Sequence, residues 1–160
     1  MDKKVSVRFA VREDAPIIFD FIKLLAEYEK MSDLVVTNPA ELEKSIFDDK
    51  RAEVIFILED DIEVGFALFF HNFSTFLGRK GLYLEDLFVK PEYRGKGYGK
   101  RLLSELANIA IDRECGRFEW SCLDWNTPSI DFYLSLGAVP VSDFTIYRIS
   151  GEKLKALANK

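Results

Sequence analysis

Histidine and cysteine are scarce in this chain, and their scarcity excludes several kinds of chemistry. His71 is the only histidine, so a Ser-His-Asp triad or a metal site built from several imidazoles has almost nothing to draw on. The two cysteines, Cys115 and Cys122, do not form a C-x-x-C pair. We therefore expect no metal site, a reducing environment, and a structural or solvent-facing role for His71.

Long apolar runs are missing as well. No stretch approaches the roughly 20 apolar residues that a membrane-spanning helix needs. Residues 1–4 lead directly into an alternating segment at residues 5–9, which is unlike a secretory signal peptide. These features predict a cytoplasmic protein with no membrane partner.

Positive charge is in deficit, because Lys and Arg total 22 against 27 Asp and Glu, giving a formal net charge of −5. This balance disfavours general nucleic-acid binding, which needs clustered cations, and favours the attraction of a cationic substrate. With 160 residues and 48% hydrophobic content, the chain is long enough for one core and short for two. We expect a single domain over residues 1–160 and no nucleic-acid partner.

Apolar periodicity and turn residues predict a mixed series of strands and helices. The strands are expected at residues 5–9, 53–58, 63–70, 82–89, 118–123 and 145–149, and the helices at 14–28, 39–47, 99–113, 127–136 and 152–158. Asp14 is expected to cap one helix and either Thr127 or Asn126 another, and Glu59-Asp60-Asp61 is expected to form a hairpin turn. This order predicts an α/β or α+β fold with one mixed central sheet.

A glycine-rich turn between a strand and a helix is the most informative local feature. Residues 94–99 have the sequence Arg-Gly-Lys-Gly-Tyr-Gly, and further cations flank them. Glycines allow close backbone approach to an anion, and a helix N-terminus offers unpaired N–H groups. The spacing matches neither the P-loop nor the dinucleotide fingerprint. The pattern therefore predicts a site for a phosphorylated ligand, with a solvated basic turn as the alternative.

With the strand at 82–89, this turn and the following helix in order, the chain resembles the GNAT N-acetyltransferase superfamily. Arg94, Gly97 and Gly99 fill its acetyl-CoA loop pattern, Arg/Gln-x-x-Gly-x-Gly/Ala. Within the superfamily the chain is most similar to the diamine (spermidine/spermine) and thialysine N-acetyltransferases. The similar runs are Tyr83-Leu84-Glu85-Asp86, Tyr93-Arg94-Gly95, Asp124-Trp125-Asn126, Asp131-Phe132-Tyr133, Leu136-Gly137-Ala138 and Leu25-Ala26-Glu27-Tyr28-Glu29.

The resemblance implies a GNAT-type fold, with a mostly antiparallel central sheet flanked by helices on both faces, and acetyl-CoA as co-substrate. It also implies a homodimer. The diphosphate would lie on backbone N–H groups after Arg94, the pantetheine arm along the preceding strand, and further cofactor contacts on a later helix. The implied cofactor residues are Leu87, Phe88, Val89, Arg94, Gly95, Lys96, Gly97, Tyr98, Gly99, Lys100, Asn126, Ser129 and Tyr133.

The same resemblance assigns catalytic and substrate roles. Tyr133 would donate a proton to the leaving thiolate, although its helical spacing also suits a core tyrosine. Glu85 would face the amine, attract its ammonium group and help to remove its proton, and Asp86 is counted among the substrate-binding residues. As neighbours on a strand, Glu85 and Asp86 are expected to point to opposite faces, and a salt bridge or solvated edge is the alternative. Tyr28 and Glu29 match the family's substrate-contacting pair.

One departure from the polyamine acetyltransferases concerns the substrate. Thr145 stands where they carry a glutamate, with only Asp143 nearby, so a short amine becomes as credible as spermidine. We expect direct acetyl transfer in a ternary complex to a diamine, polyamine, thialysine or lysine-like amine, because neither cysteine has an activating base in the sequence. The alternatives are a protein or peptide N-acetyltransferase and a CoA-binding regulatory module with little turnover.

Overall fold

The computed structural model describes residues 2–159 and divides them into two units, the first ending at Ser121 and the second beginning at Cys122. The first unit contains β1 (Val5–Phe9), α1 (Ala15–Tyr28), α2 (Pro39–Glu43), β2 (Glu53–Glu59), β3 (Ile62–Ser74), β4 (Arg79–Val89), α3 (Tyr98–Asp112) and β5 (Phe118–Trp120). The second contains α4 (Thr127–Ser135) and α5 (Gly151–Ala158). A π-helical turn at Lys44–Asp48 continues α2, and 3₁₀ turns occupy Arg12–Asp14, Ser32–Leu34 and Pro91–Tyr93.

The sheet has the order β1-β2-β3-β4-β5. The first four strands are antiparallel neighbours, and β5 is parallel to β4. The hairpin between β2 and β3 turns on Asp60 and Asp61, whose φ angles of 50° and 67° are the positive values that a two-residue hairpin requires. The acidic turn predicted from the sequence is confirmed, with Glu59 as the last residue of β2.

Helices cover both faces of this sheet. On one face, Phe56 of β2 and Phe66 of β3 form a buried cluster with Ile18 and Phe21 of α1. The alternate residues of β2 point to the other face, where α3 packs and Leu102 is fully buried. The predicted fold class, a mostly antiparallel sheet between helices, is therefore confirmed.

A β-bulge interrupts β4 at Glu85. Leu68 of β3 pairs with Asp86, and the next residue, Phe69, pairs with Leu84, so Glu85 is the extra residue in the ladder. The parallel pairing of β4 with β5 also ends at Leu84. The strand predicted at 118–123 is accordingly shorter, because the straight edge on which it could continue ends at the bulge.

Three other sequence expectations are confirmed only in part or are wrong. Asp14 is the N-cap residue of α1, as expected, but its carboxylate makes no capping hydrogen bond and instead accepts from the Val11 N–H at 2.7 Å and from Arg8. Of the two caps expected for α4, Asn126 is confirmed as the N-cap and Thr127 is wrong, since it is the first helical residue. Residues 145–149 lie outside any strand, because apolar alternation alone supplies no partner for the backbone N–H and C=O groups.

Helix length and composition also bear on membranes. Among residues 2–159, no helix combines the length and the apolar character needed to cross a bilayer.

Candidate active site

The glycine-rich turn leads directly into the N-terminus of α3. Gly95 and Gly97 have φ angles of 79° and 81°, in the left-handed region that favours glycine, and Gly97 is the N-cap of the helix. A Cβ atom added at Gly95, Gly97 or Gly99 would meet no atom within 4 Å. The backbone of the turn is therefore open to an incoming group.

The turn also presents unpaired donors. Within the part of the chain that the structure describes, the N–H groups from Gly95 to Lys100 donate no hydrogen bond to protein atoms, and the Arg101 N–H is the first to bond back, to Gly97 O at 3.0 Å. Helix α3 has 15 residues, so its N-terminal dipole adds positive potential here. This geometry fits an anion such as the diphosphate of a nucleotide-derived cofactor.

Two side chains of the turn anchor it to the sheet. The Glu59 carboxylate, at the end of β2, accepts hydrogen bonds from Lys96 Nζ at 2.9 Å and from the Tyr98 hydroxyl at 2.7 Å. The Lys96 ammonium and the Tyr98 hydroxyl together lower the pKa of Glu59. The positive charge of Lys96 is thus already paired, whereas Lys100 is exposed and forms no ion pair within the described residues.

Arg94 turns its side chain away from the glycines. Its Nε donates to the Val89 carbonyl at 2.9 Å, and its guanidinium carbon lies 5.1 Å from the ring centroids of both Tyr28 and Phe88. The Tyr28 and Phe88 rings meet edge to face at 6.4 Å. The last turn of α1 and the end of β4 are therefore joined through Arg94.

Three carboxylates, Glu29, Glu85 and Asp86, interact electrostatically. Glu29 directly follows Tyr28, whose ring contacts Arg94. Burial, followed by the negative charges of Glu85 and Glu29, raises the pKa of Asp86 to about 7. Burial and the charge of Glu85 also raise the pKa of Glu29. Glu85 is the extra residue of the bulge, so the regular alternation of the strand is interrupted there, and the opposite orientation of Glu85 and Asp86 stays a prediction.

Glu29, Glu85 and Asp86 are together called the carboxylate group. Among residues 2–159, no Lys or Arg forms an ion pair with any of the three, and burial and like charge alone shift the pKa values of Asp86 and Glu29. A cluster of unpaired negative charge attracts an ammonium group, and a carboxyl that titrates near neutral pH can both accept and return a proton. The carboxylate group can therefore both attract an ammonium group and take up a proton from it.

The remaining predicted site residues lie in the second unit, on α4. Asn126 caps the helix, with its Oδ1 accepting from the Ser129 N–H at 3.5 Å. Tyr133 is half-buried, and its ring centroid lies 5.7 Å from that of Phe132. The roles of these α4 residues toward cofactor and leaving group stay predictions.

A second polar cluster, the His71 network, lies at the start of β4 and the C-terminal end of α3. His71 Nδ1 lies 2.9 Å from Gly81 O and Nε2 lies 3.0 Å from Arg113, which also forms a bidentate pair with Glu53 at 2.6 and 2.9 Å. Cys115 Sγ is 3.8 Å from Nδ1. Because a guanidinium only donates, Nε2 must accept and Nδ1 must carry the proton, so His71 has no lone pair left to activate Cys115.

Sequence reasoning expected a structural or solvent-facing role for His71, and the structure gives it the structural one. The partners of this network are separated by tens of residues and follow no motif, so the sequence offered no signal for it.

The comparison with known families matches the pattern of the acetyltransferase (GNAT) family to residues 20–138. The chain belongs to the GNAT family. This GNAT protein is 36% identical over 168 residues to a thialysine N-epsilon-acetyltransferase of Bos taurus, covering 98% of each chain. It is 28% identical over 197 residues to an L-ornithine N5-acetyltransferase of Arabidopsis thaliana, covering 94% of this chain and 86% of the relative.

A solved structure is also similar along the whole GNAT chain. The V. cholerae integron cassette protein VCH_CASS6 superposes with a TM-score of 0.81 at 29% identity, covering 98% of both chains. The family match and the near-complete coverage of the N-acetyltransferase relatives identify this protein as an N-acetyltransferase.

Proposed function

We propose that this N-acetyltransferase moves the acetyl group of acetyl-CoA directly to the terminal amine of a short cationic amino acid or diamine, within a ternary complex. Acetyl transfer to an amine follows from the family and its relatives. The observation that supports the finer proposal is the carboxylate group beside the β4 bulge, because its unpaired negative charge suits an ammonium substrate.

The first unit fits the cofactor. The open N–H groups from Gly95 to Lys100 would hold the diphosphate, and the segment from Leu87 to Val89, beyond the end of the β5 ladder, would pair with the pantetheine arm. When bound, acetyl-CoA supplies the acetyl thioester. The chain's own contribution is to hold the diphosphate by main-chain donors in a turn that the Glu59 contacts fix in advance.

The carboxylate group would handle the amine. Glu29 and Glu85 attract the ammonium, and Asp86, with a pKa near 7, accepts the proton that must leave before the nitrogen can attack. The resemblance gave the proton-removing role to Glu85, whereas the raised pKa of Asp86 favours Asp86 for it. Glu85 then acts mainly through its charge.

Tyr133 would return a proton to the departing thiolate. A phenol keeps its proton at neutral pH and can donate it to a developing anion. Its place on α4, the helix that Asn126 caps, agrees with the run of residues that carries the resemblance.

Two observations support the proposed substrate class. Several relatives are named for thialysine or L-ornithine, both α-amino acids with a terminal amine, although another is named for spermidine and spermine. Thr145 also removes the late carboxylate that a long polyamine would use as an additional anchor. Short amines are therefore favoured over spermine.

A thiol-release assay with acetyl-CoA tests this proposal against a panel of thialysine, L-ornithine, L-lysine, putrescine, spermidine and an N-terminal peptide. We expect the highest kcat/KM with a short α-amino acid that carries a terminal amine. Peptide-dependent release alone would establish the protein acetyltransferase alternative. Binding of CoA by calorimetry without release from any amine would establish the regulatory module.

A further inference from the structure

Arg94 contacts both sides of the site. It directly precedes the open glycine turn, its Nε donates to Val89 O at 2.9 Å, and its guanidinium stacks 5.1 Å from the Tyr28 ring. Tyr28 in turn precedes Glu29 of the carboxylate group. One side chain thus bridges the segment suited to the cofactor and the helix end suited to the amine.

The contacts of Arg94 differ from those of a phosphate ligand. A side chain held by a carbonyl on one side and by two aromatic faces on the other has its rotamer set by the protein. Neighbouring cations at the start of α3 are arranged differently, since Arg101 pairs with Glu105 on its own helix at 3.0 Å. Arg94 is therefore placed to transmit a change in the turn to Tyr28.

We propose that Arg94 is a positioning residue that couples cofactor binding to amine binding by holding Tyr28 against the end of β4. The inference rests on the proposed function. An anion bound on the N–H groups after Arg94 restrains the turn, and the restrained guanidinium in turn holds the Tyr28 ring and the adjacent Glu29. Because coupling between two ligands is reciprocal, the amine then tightens CoA binding by the same factor.

Calorimetry of free CoA binding tests this coupling without requiring turnover. Titrations are run with and without saturating thialysine or L-ornithine, whichever the wild-type protein acetylates faster. We expect the amine to tighten CoA binding by about three- to tenfold in the wild type, the range that one cation–ring contact supports. In Arg94→Gln, which keeps an N–H donor and loses the cation, this factor should fall to about one.

Two further variants separate positioning from simple charge. Arg101→Gln removes a cation from the same helix start without touching Tyr28, so it should weaken CoA binding and keep the coupling. Tyr28→Leu keeps apolar bulk and removes the ring, so it should abolish the coupling, and adding Arg94→Gln to it should change the coupling no further. Arg94→Lys retains the cation and should restore part of the factor lost in Arg94→Gln.

The outcomes are distinguishable. Coupling that survives in Arg94→Gln or in Tyr28→Leu overturns the inference and leaves Arg94 as an ordinary cation of the cofactor turn. Absence of amine-dependent thiol release from the wild type overturns the proposed function, and the inference with it. Thermal unfolding of each variant confirms that the folded protein was titrated, and Tyr28→Leu provides the test if Arg94→Gln does not fold.

Discussion

The two ends of β4 carry polar clusters of opposite character. At its start, the His71 network joins Glu53, Arg113 and the Gly81 carbonyl, and each charged group there has a partner within 3.0 Å. Near its end, the carboxylate group has no cationic partner among the described residues, and the N–H groups after Arg94 are open. Satisfied polar groups stabilise a fold, whereas unsatisfied ones mark the place where a ligand completes the structure.

Asp86→Asn, in the carboxylate group, should have the largest effect on activity of the variants considered. The amide cannot accept the amine proton at neutral pH, so we expect kcat/KM to fall by about 10²- to 10³-fold. Steady-state thiol release from pH 6 to 9 measures this effect. The wild-type profile should contain an apparent pKa near 7 that the variant lacks. Retention of more than about a third of wild-type activity would exclude Asp86 as the proton acceptor.

The same residue should make stability depend on pH. The pKa of Asp86 in the folded protein, about 7, lies above its ordinary value of 3.8, so the folded state binds the extra proton. Its contribution to the free energy of unfolding should therefore fall by about 2–3 kcal/mol between pH 5 and pH 8. Urea unfolding of wild type and Asp86→Asn at both pH values isolates this term, and equal pH dependence in the two proteins would contradict it.

Arg113→Met, in the His71 network at the start of β4, should lower stability and leave activity almost unchanged. It removes the bidentate partner of Glu53 and the donor to His71 Nε2, while a similar apolar stem remains. Because about a third of each ion-pair side chain is exposed, we expect a loss of about 1–2 kcal/mol in the free energy of unfolding. Activity at 25 °C should change less than about twofold, because this cluster is independent of the proposed chemistry.

Glu85→Gln should produce the smallest of these effects. It tests whether Glu85 attracts the ammonium group while Asp86 accepts its proton. Removing one negative charge weakens attraction of the ammonium, so KM for a cationic amine should rise about fivefold while kcat changes little. Glu27→Gln is the matched control. Glu27, on α1, is an exposed glutamate like Glu85, but it lies outside the carboxylate group. A fall in kcat with unchanged KM would return the proton-removing role to Glu85.

Much of the fold could be predicted from local pattern. Alternation in residues 5–9, the acidic hairpin and the glycine turn before α3 each express a preference of a few adjacent residues, and each occurs in the structure. The glycine turn could be recognised because the positive φ angles of Gly95 and Gly97 favour glycine. Local conformational preference therefore predicted most of the elements of the first unit.

The bulge could not be predicted in the same way. Nothing in Leu84-Glu85-Asp86 indicates an extra residue, because a bulge is a property of the register between β4 and β3. The wrong expectation for the length of β5 follows from that one missing piece of information. The His71 network was missed for a related reason, as its members meet only after the sheet and α3 have packed.

Removing Glu85 altogether would leave Asp86 opposite Leu68 and Leu84 opposite Phe69, so both flanking pairs could persist in a regular ladder. The ladder between β3 and β4 would then run without interruption past Leu84, the residue at which the pairing of β4 with β5 now ends. A single extra residue thus separates a regular ladder from a bulged one, and the same residue brings one negative charge of the carboxylate group.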